Sequence, residues 1–299
     1  MKKLGILIAI VSVNIFLASG CTPSEFDAIV SDISNTLPDN AGAAITETKS
    51  VSLDKNQTLH LDTSVVDLDI SEADVSKVEI ELKTYENGPK LTIKEGTVLE
   101  IIADTKKNNI NWGNKAQPRM TVKIPKSFEG TLELETDVGD VDVYSIDCDQ
   151  LDASGDVGDW RIENIQTKAL NVKMDVGDLK LRKIISDKIE IDSDVGDVDA
   201  QEIEGNIIGK IDTGDAHFEL EKIVGDFSFE GDTGDISIYL PKRELIDASF
   251  DIAVDTGDLS MNHPLDEISE KSEDRLKGLI GKGAYKFTIQ TSTGDIVLK

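Results

Sequence analysis

Asp137-Val138-Gly139-Asp140 is the stretch on which the fold turns, because it returns along the chain. It reads DVGD again at 156–159, 175–178 and 194–197, DTGD at 212–215, 232–235 and 255–258, and STGD at 292–295. The glycines stand at Gly139, Gly158, Gly177, Gly196, Gly214, Gly234, Gly257 and Gly294, with gaps of 19, 19, 19, 18, 20, 23 and 37 residues. A short, nearly constant period marks a chain assembled from stacked copies of one small unit.

Aligned on the glycine, apolar residues fall into columns. Seven and five positions before it stand Leu132/Leu134, Leu151/Ala153, Leu170/Val172, Ile189/Ile191, Phe227/Phe229, Phe250/Ile252 and Phe287/Ile289. Two and four positions after it stand Val141/Val143, Trp160/Ile162, Leu179/Leu181, Val198/Ala200, Ala216/Phe218, Ile236/Ile238, Leu259/Met261 and Ile296/Leu298. In the first four copies Ile146, Ile165, Ile184 and Ile203 follow. Ile207-Ile208-Gly209, in the fifth copy, fits the first column poorly. Period two within each piece predicts short strands with one buried face, and the glycine marks a corner with positive φ. Every copy runs in the same order, so equivalent strands should lie on one another about 4.8 Å apart. The expectation is an all-β, parallel β-solenoid of ~19-residue coils. So narrow a coil is filled by its own side chains, which weighs against an enzyme.

The chain opens with Lys2-Lys3, an apolar run from Leu4 to Ala18, and Ser19-Gly20-Cys21. That is the pattern of a secretory leader, too short for a membrane span. Leu17-Ala18-Ser19-Gly20-Cys21 resembles the bacterial lipobox, which implies lipid attachment at Cys21 and an extracytoplasmic protein anchored to the cell membrane. The expected organisation is leader with lipobox at 1–21, tether at 22–48, an irregular N-terminal β region capping the solenoid at 49–130, and the repeats at 131–299, interrupted at 262–283. In the tether, Phe26, Ile29, Val30, Ile33 and Leu37 fall at helical spacing, but a solvated spacer suits its acidic residues better. Residues 63–70 read as a degenerate repeat that has lost its glycine, and Glu267–Ile280 reads as a helix within the insertion.

With 58 acidic and 31 basic residues the net charge is −27, and −29 once Lys2 and Lys3 leave with the leader. Such a surface has no counterions to gain from nucleic acid, which is excluded as a partner. The two cysteines are Cys21 and Cys148, so a lipidated Cys21 leaves no intrachain disulfide.

Met120-Thr-Val-Lys-Ile-Pro125, then Thr131-Leu-Glu-Leu-Glu-Thr-Asp-Val-Gly-Asp-Val-Asp-Val143, the repeats, and a final Thr293-Gly-Asp-Ile-Val-Leu298 together resemble the "putative adhesin" family of β-strand-repeat domains. The resemblance spans about residues 50–299. It implies a right-handed parallel β-solenoid of the bacterial envelope, with no catalytic residues to carry over.

Asp-Thr-Gly is also the triplet of aspartic proteases, but here it belongs to an eightfold series in which Val replaces Thr in four copies and Ser replaces the leading Asp in the last. His60, His217 and His263 are scattered without metal-ligand spacing. Gly278–Gly283 lacks the Ser or Thr that a phosphate loop carries after its Lys, and reads as a hinge. Stacking would align Asp140, Asp159, Asp178, Asp197, Asp215, Asp235, Asp258 and Asp295 in one column, and Asp137, Asp156, Asp175, Asp194, Asp212, Asp232 and Asp255 in another. Charges about 5 Å apart repel by roughly 3 kcal/mol at an effective dielectric near 20. The compensation expected is backbone N–H donation at each carboxylate's own corner. The alternative is Ca²⁺ between rungs, with Asp140, Asp159, Asp178, Asp197, Asp215, Asp235 and Asp258 as ligands.

The function expected is therefore a non-catalytic interaction or scaffold module on the cell surface, without cofactor, meeting the membrane through its lipid and an envelope protein or cell-wall polymer through its rod. The alternatives are a calcium-stabilised adhesion rod and a glycan-active solenoid enzyme. The latter would need paired carboxylates beside an aromatic platform, for which Trp160, Tyr144 and Tyr239 are the candidates.

Overall fold

The computed structural model of the chain describes residues 40–105 and 112–299. Seven strands precede the repeats: β1 (Ala44–Val51), β2 (Thr58–Val65), β3 (Asp67–Ala73), β4 (Val78–Tyr85), β5 (Lys90–Lys94), β6 (Val98–Asp104) and β7 (Arg119–Pro125). The regular repeats form β8 (Thr131–Val138), β9 (Val141–Val157), β10 (Trp160–Val176), β11 (Leu179–Val195) and β12 (Val198–Thr213). Shorter strands complete the chain: β13 (Ala216–Glu219), β14 (Phe227–Thr233), β15 (Ile236–Tyr239), β16 (Ala248–Thr256), β17 (Leu259–Met261), β18 (Glu267–Lys271), β19 (Arg275–Ile280), β20 (Tyr285–Thr293) and β21 (Ile296–Leu298).

Consecutive repeats pair in parallel, Val141 with Trp160, Trp160 with Leu179 and Leu179 with Val198, so equivalent residues stack. The result is a solenoid-like, mostly parallel sheet that coils upon itself. The inward columns are core: Leu132, Leu151, Leu170 and Ile189 are fully buried, as are Trp160, Leu179, Ile165 and Ile184. Side-chain volume is balanced between neighbouring rungs. A Cβ at Gly209 would lie 2.4 Å from two ring carbons of Phe229, so that ring fills the hole in the fifth copy. At Gly155 the same role falls to Trp160.

The glycine corner is set by backbone contact. Gly177 has φ +141°, and a Cβ there would stand 1.9 Å from the carbonyl oxygen of Gly158. Neither the dihedral nor the space admits a side chain. The residue before the glycine points outward and is β-branched throughout. Val138, Val157, Val176 and Val195 are 37–46% exposed, and Thr213, Thr233, Thr256 and Thr293 continue the column. Val and Thr share a shape, which explains their interchange in the motif: the extended backbone favours β-branching there, and burial plays no part.

A second corner lies six residues on, where Ser145, Asn164, Lys183 and Glu202 hold left-handed φ of 54–57°. A third carries the buried column Cys148, Thr167 and Ser186. There the Thr167 hydroxyl donates to the carbonyl of Asp149 or Ala169, at 3.0 and 3.1 Å, and the Ser186 hydroxyl donates to that of Lys188 at 2.7 Å.

Rung order departs from chain order at both ends. β2–β3 lies between β8–β9 on one side and β6–β7 on the other, all parallel. The glycine position of this rung is taken by Val66, whose carbonyl faces Gly139. At the far end β20–β21 lies between β14–β15 and β16–β17. Antiparallel strands then close the stack. β4 and β1 cover β7, β5 covers β6, and β19 followed by β18 covers β16.

Two expectations are corrected here. Glu267–Ile280 is no helix but two antiparallel strands, because the exposed edge of β16 offers a full ladder of hydrogen bonds from Ala248 to Ala253. β1 begins at Ala44, so a strand occupies the end of the stretch read as a tether. The leader, Cys21 and the candidate helix at 26–37 lie outside the described residues.

Leu181 is fully buried and Lys180 exposed. Leu181→Ala should therefore lower unfolding free energy by about 2–5 kcal/mol and Lys180→Ala by less than about 0.5 kcal/mol in urea titrations. Gly177→Ala should destabilise more than Lys180→Ala despite adding only a methyl group. Equal effects of the leucine and lysine changes would refute the alternation of faces.

Candidate interaction surface

The aspartate after each glycine forms one continuous ladder. Oδ1 of Asp67 accepts the N–H of Asp140 (3.2 Å), Asp140 that of Asp159 (3.0 Å), Asp159 that of Asp178 (3.0 Å) and Asp178 that of Asp197 (3.0 Å). The series runs on from Asp197 to Asp215 (2.9 Å), Asp215 to Asp235 (2.9 Å), Asp235 to Asp295 (2.8 Å) and Asp295 to Asp258 (2.8 Å). Every ladder carboxylate from Asp67 to Asp295 therefore caps the next rung and not its own corner, a correction to the local turn expected. The physical reason is the parallel stack, which places the neighbouring N–H directly over Oδ1. Ordered this way, the column joins rungs side chain to backbone and offsets its own charge repulsion.

Burial raises the carboxyl of Asp67, at the ladder's N-terminal end, above its ordinary range, and the nearby Asp140 charge adds to the rise. The N–H bond from Asp140 works in the opposite direction. Asp69 and Glu72, on the same rung, are raised mainly by burial. At the opposite end Asp247 is lowered by N–H bonds from Ala284 and Lys282. Asp266 is lowered by the N–H of Gly281, followed by Arg243.

Outward residues of six consecutive coils, and His60 beside them, line a shallow groove of about 740 Å³. Its carboxylates are Glu133, Glu135, Asp152, Glu190, Asp192 and Glu230, with Lys173 and Lys210 interspersed. Asp152 is held by the amides of Gln150 (2.7 Å) and Asn171 (2.6 Å), and Glu133 lies 3.2 Å from His60. A second hollow of about 350 Å³ lies at the corner of Ser145, Asn164 and Lys183. Neither was singled out from sequence. Both are assembled from equivalent positions on successive rungs, and their trace in the sequence is the 19-residue return of outward polar positions.

The structure does not bring the remaining candidates together. Trp160 is buried, whereas Tyr144 and Tyr239 are exposed on distant rungs, so they form no common platform. His60 pairs with Glu133, and His217 packs edge-on against Tyr239 at 5.1 Å. Trp112 packs on Tyr85 at 5.6 Å. Cys148 is buried and free, its thiol pushed up to about 11 chiefly by burial, which makes it a poor nucleophile. Among the described residues no three His, Cys, Asp or Glu side chains converge to hold a metal ion. No helix among them is long and apolar enough to cross a membrane.

Residues 56–299 match the family described as Toastrack DUF4097. The chain belongs to the Toastrack family. Solved structures similar to this Toastrack chain include a "putative adhesin" from Bacteroides fragilis, at 16% identity over 88% of this chain and 100% of that one, with a TM-score of 0.54. A "putative cell adhesion protein" from Clostridium sporogenes is 17% identical over 86% and 99% of the two chains, TM-score 0.35. A "putative lipid binding protein" from Parabacteroides distasonis is 12% identical over 88% and 99%, TM-score 0.45. No curated protein matches the chain. At these identities the likeness is one of fold.

Asp178→Ala leaves the N–H of Asp197 without its acceptor and should cost about 1 kcal/mol. Asp178→Asn keeps an oxygen acceptor, removes one charge, and should melt at or above the wild-type temperature. Calorimetry with and without CaCl2 should show no calcium shift in either. A calcium-dependent rise lost in Asp178→Asn would make the column a metal ladder.

The two ends of the stack should respond oppositely to acid. Carboxyls raised in the folded state gain protons there first, so β2–β3 should become more protected as pH falls towards about 4. Carboxyls lowered in the folded state lose their stabilisation on protonation, so the Asp247 and Asp266 contacts should loosen as pH falls below about 4. Hydrogen exchange resolved by segment at pH 6, 4 and 3 measures both.

Proposed function

We propose that this chain is a lipid-anchored, extracytoplasmic Toastrack module that serves the bacterial envelope as a non-catalytic interaction or scaffold element. In this reading the stack is a right-handed solenoid of ~19-residue coils, the strands from β1 to residue 130 cap it, the stretch from residue 22 up to β1 tethers it, and Cys21 carries the lipid. The observation that carries the functional reading is the division of the rod. Its interior is filled by the side chains of its own rungs, while one outer face presents a polar groove of about 740 Å³ running over successive coils. Recognition along such a face needs no internal cavity and suits an elongated partner, an envelope protein or a cell-wall polymer. The adhesin name of the similar fold from Bacteroides fragilis agrees with a place at the cell surface.

Cys21→Ala is expected to move the protein out of the membrane fraction or to leave it unprocessed. Wild-type fractionation and mobility of that variant would sink the anchor. For the groove, the protein is incubated with separated cell-wall, membrane-protein and polysaccharide fractions. The paired change Glu135→Lys and Asp192→Lys should weaken capture from one of them by tenfold or more, and equal capture by both proteins from every fraction would remove the groove as the contact face.

A further inference from the structure

The stack ends on strands that have one neighbour each. Among the described residues β1, β5, β17 and β18 pair on one side only. Three of these edges are blunted. β17 is three residues long, the ladder of β18 is broken by a bulge between Ile268 and Glu270, and at β5 the Leu91 N–H donates to Oε2 of Glu47 at 3.3 Å. Short strands, bulges and side-chain caps are how sheets avoid edge-to-edge contact. β1 has none of them. Its register with β4 runs unbroken from Ala44↔Tyr85 to Val51↔Val78. Its start is fastened by Asn87, which donates to the Asn40 carbonyl at 2.8 Å, and by Glu86, which accepts the Ala43 N–H at 3.2 Å. The geometry points to the free edge of β1 as the docking site for a second copy of this chain, β1 against β1 in antiparallel order about a twofold axis at Thr48.

Backbone direction and side-chain charge select the occupant. The Glu86 N–H donates to the Ala43 carbonyl at 2.9 Å, so the odd-numbered residues of β1 turn their backbone groups to β4. Ala44, Thr46, Thr48 and Ser50 turn theirs outward. An antiparallel copy must meet these with its own outward residues, which restricts self-pairing to registers two residues apart. With Thr48 opposite the partner's Thr48, Thr46 meets the partner's Ser50, Glu47 the partner's Lys49 and Ile45 the partner's Val51. Opposite charges, paired hydroxyls and paired aliphatic side chains are favourable cross-strand neighbours. A slip of one step either way fails. It sets Glu47 on the partner's Glu47, or Lys49 on the partner's Lys49, with like charges directly opposite. Charge complementarity thus singles out one register, and the strand that satisfies it is β1 itself. Lys90 stands 3.8 Å from Glu47, so the partner's Lys49 would join an acid already held in place. The contact is isologous and closes as a dimer. The inference rests on the edge of β1, independently of the lipid anchor and the groove.

So short a ladder buries less surface than a standard dimer interface, so the pair is reversible and a covalent trap measures it. Thr46, Thr48 and Ser50 are exposed, which makes them safe positions for cysteine, and Cys148 is buried. Full-length chains carrying Cys21→Ser and one of Thr46→Cys, Thr48→Cys or Ser50→Cys are oxidised with copper phenanthroline. Thr48→Cys should link to itself at ten times or more the yield of Lys180→Cys, an exposed control on another face. Thr46→Cys and Ser50→Cys should each stay at the control level alone and link when mixed. Adding Lys49→Glu or Glu47→Lys to Thr48→Cys should cut linkage tenfold, and mixing those two charge variants should restore it. Linkage of Thr48→Cys no higher than the control, equal linkage by Thr46→Cys alone, or indifference to Lys49→Glu would overturn the inference. A Thr48→Cys thiol that neither links nor reacts with maleimide would assign the edge to residues 22–39 of the same chain, and would overturn it as well.

Discussion

At the repeat corner one carbonyl oxygen stands where any side chain would begin. From Gly139 to Gly294 a Cβ would approach the preceding rung's carbonyl to within 1.9–2.1 Å, and φ stays between +137° and +157°. That contact sets how closely rungs approach, and two other features follow from it. The aspartate beyond the glycine is brought under the next N–H, and inward columns come into van der Waals contact along the whole stack. Glycine thus costs backbone entropy at each corner, and the ladder of charge-assisted hydrogen bonds offsets part of that cost.

The charge of −27 is arranged rather than merely spread. Ladder carboxylates use N–H donors, whereas those on the flat faces meet bases on adjacent rungs, as Asp149 meets Lys168 at 2.6 Å and Asp199 meets Arg182 at 3.1 Å. Such exposed pairs contribute little stability each, but they keep parallel columns of like charge from facing one another. The outer strands remain polar, and the open ends are covered by antiparallel strands, so the sheet offers few bare edges for unregulated pairing.

The ends show how a repeat stops. Towards the C-terminus the aliphatic columns give way to Phe218, Phe227, Phe229, Phe287 and Phe250, packed ring on ring. Larger side chains accompany shorter strands and the irregular connections around 220–226 and 240–247. Stacking the last rung inside the penultimate one places Phe227, Phe287 and Phe250 in a continuous column. It also leaves β16 with an edge for β19 to close.

The amino-acid sequence by itself determined the period, the alternation of faces and the parallel order, because side chains two apart share a face and copies in one direction can only stack in parallel. It placed Leu179, Leu181 and Ile184 in the core and Lys180 outside for that reason. Tertiary structure alone decided which rung lies beside which at the ends, since β20 and β16 carry equivalent patterns and either could dock on β14. It decided that Asp178 reaches across to Asp197 and not to its own turn, a difference of hydrogen-bond geometry invisible in spacing. It turned Glu267–Ile280 into strands, because the free edge of β16 outweighed local helical preference. The left-handed corner at Ser145, Asn164, Lys183 and Glu202 had no shared residue type to announce it, and was imposed by closure of the coil.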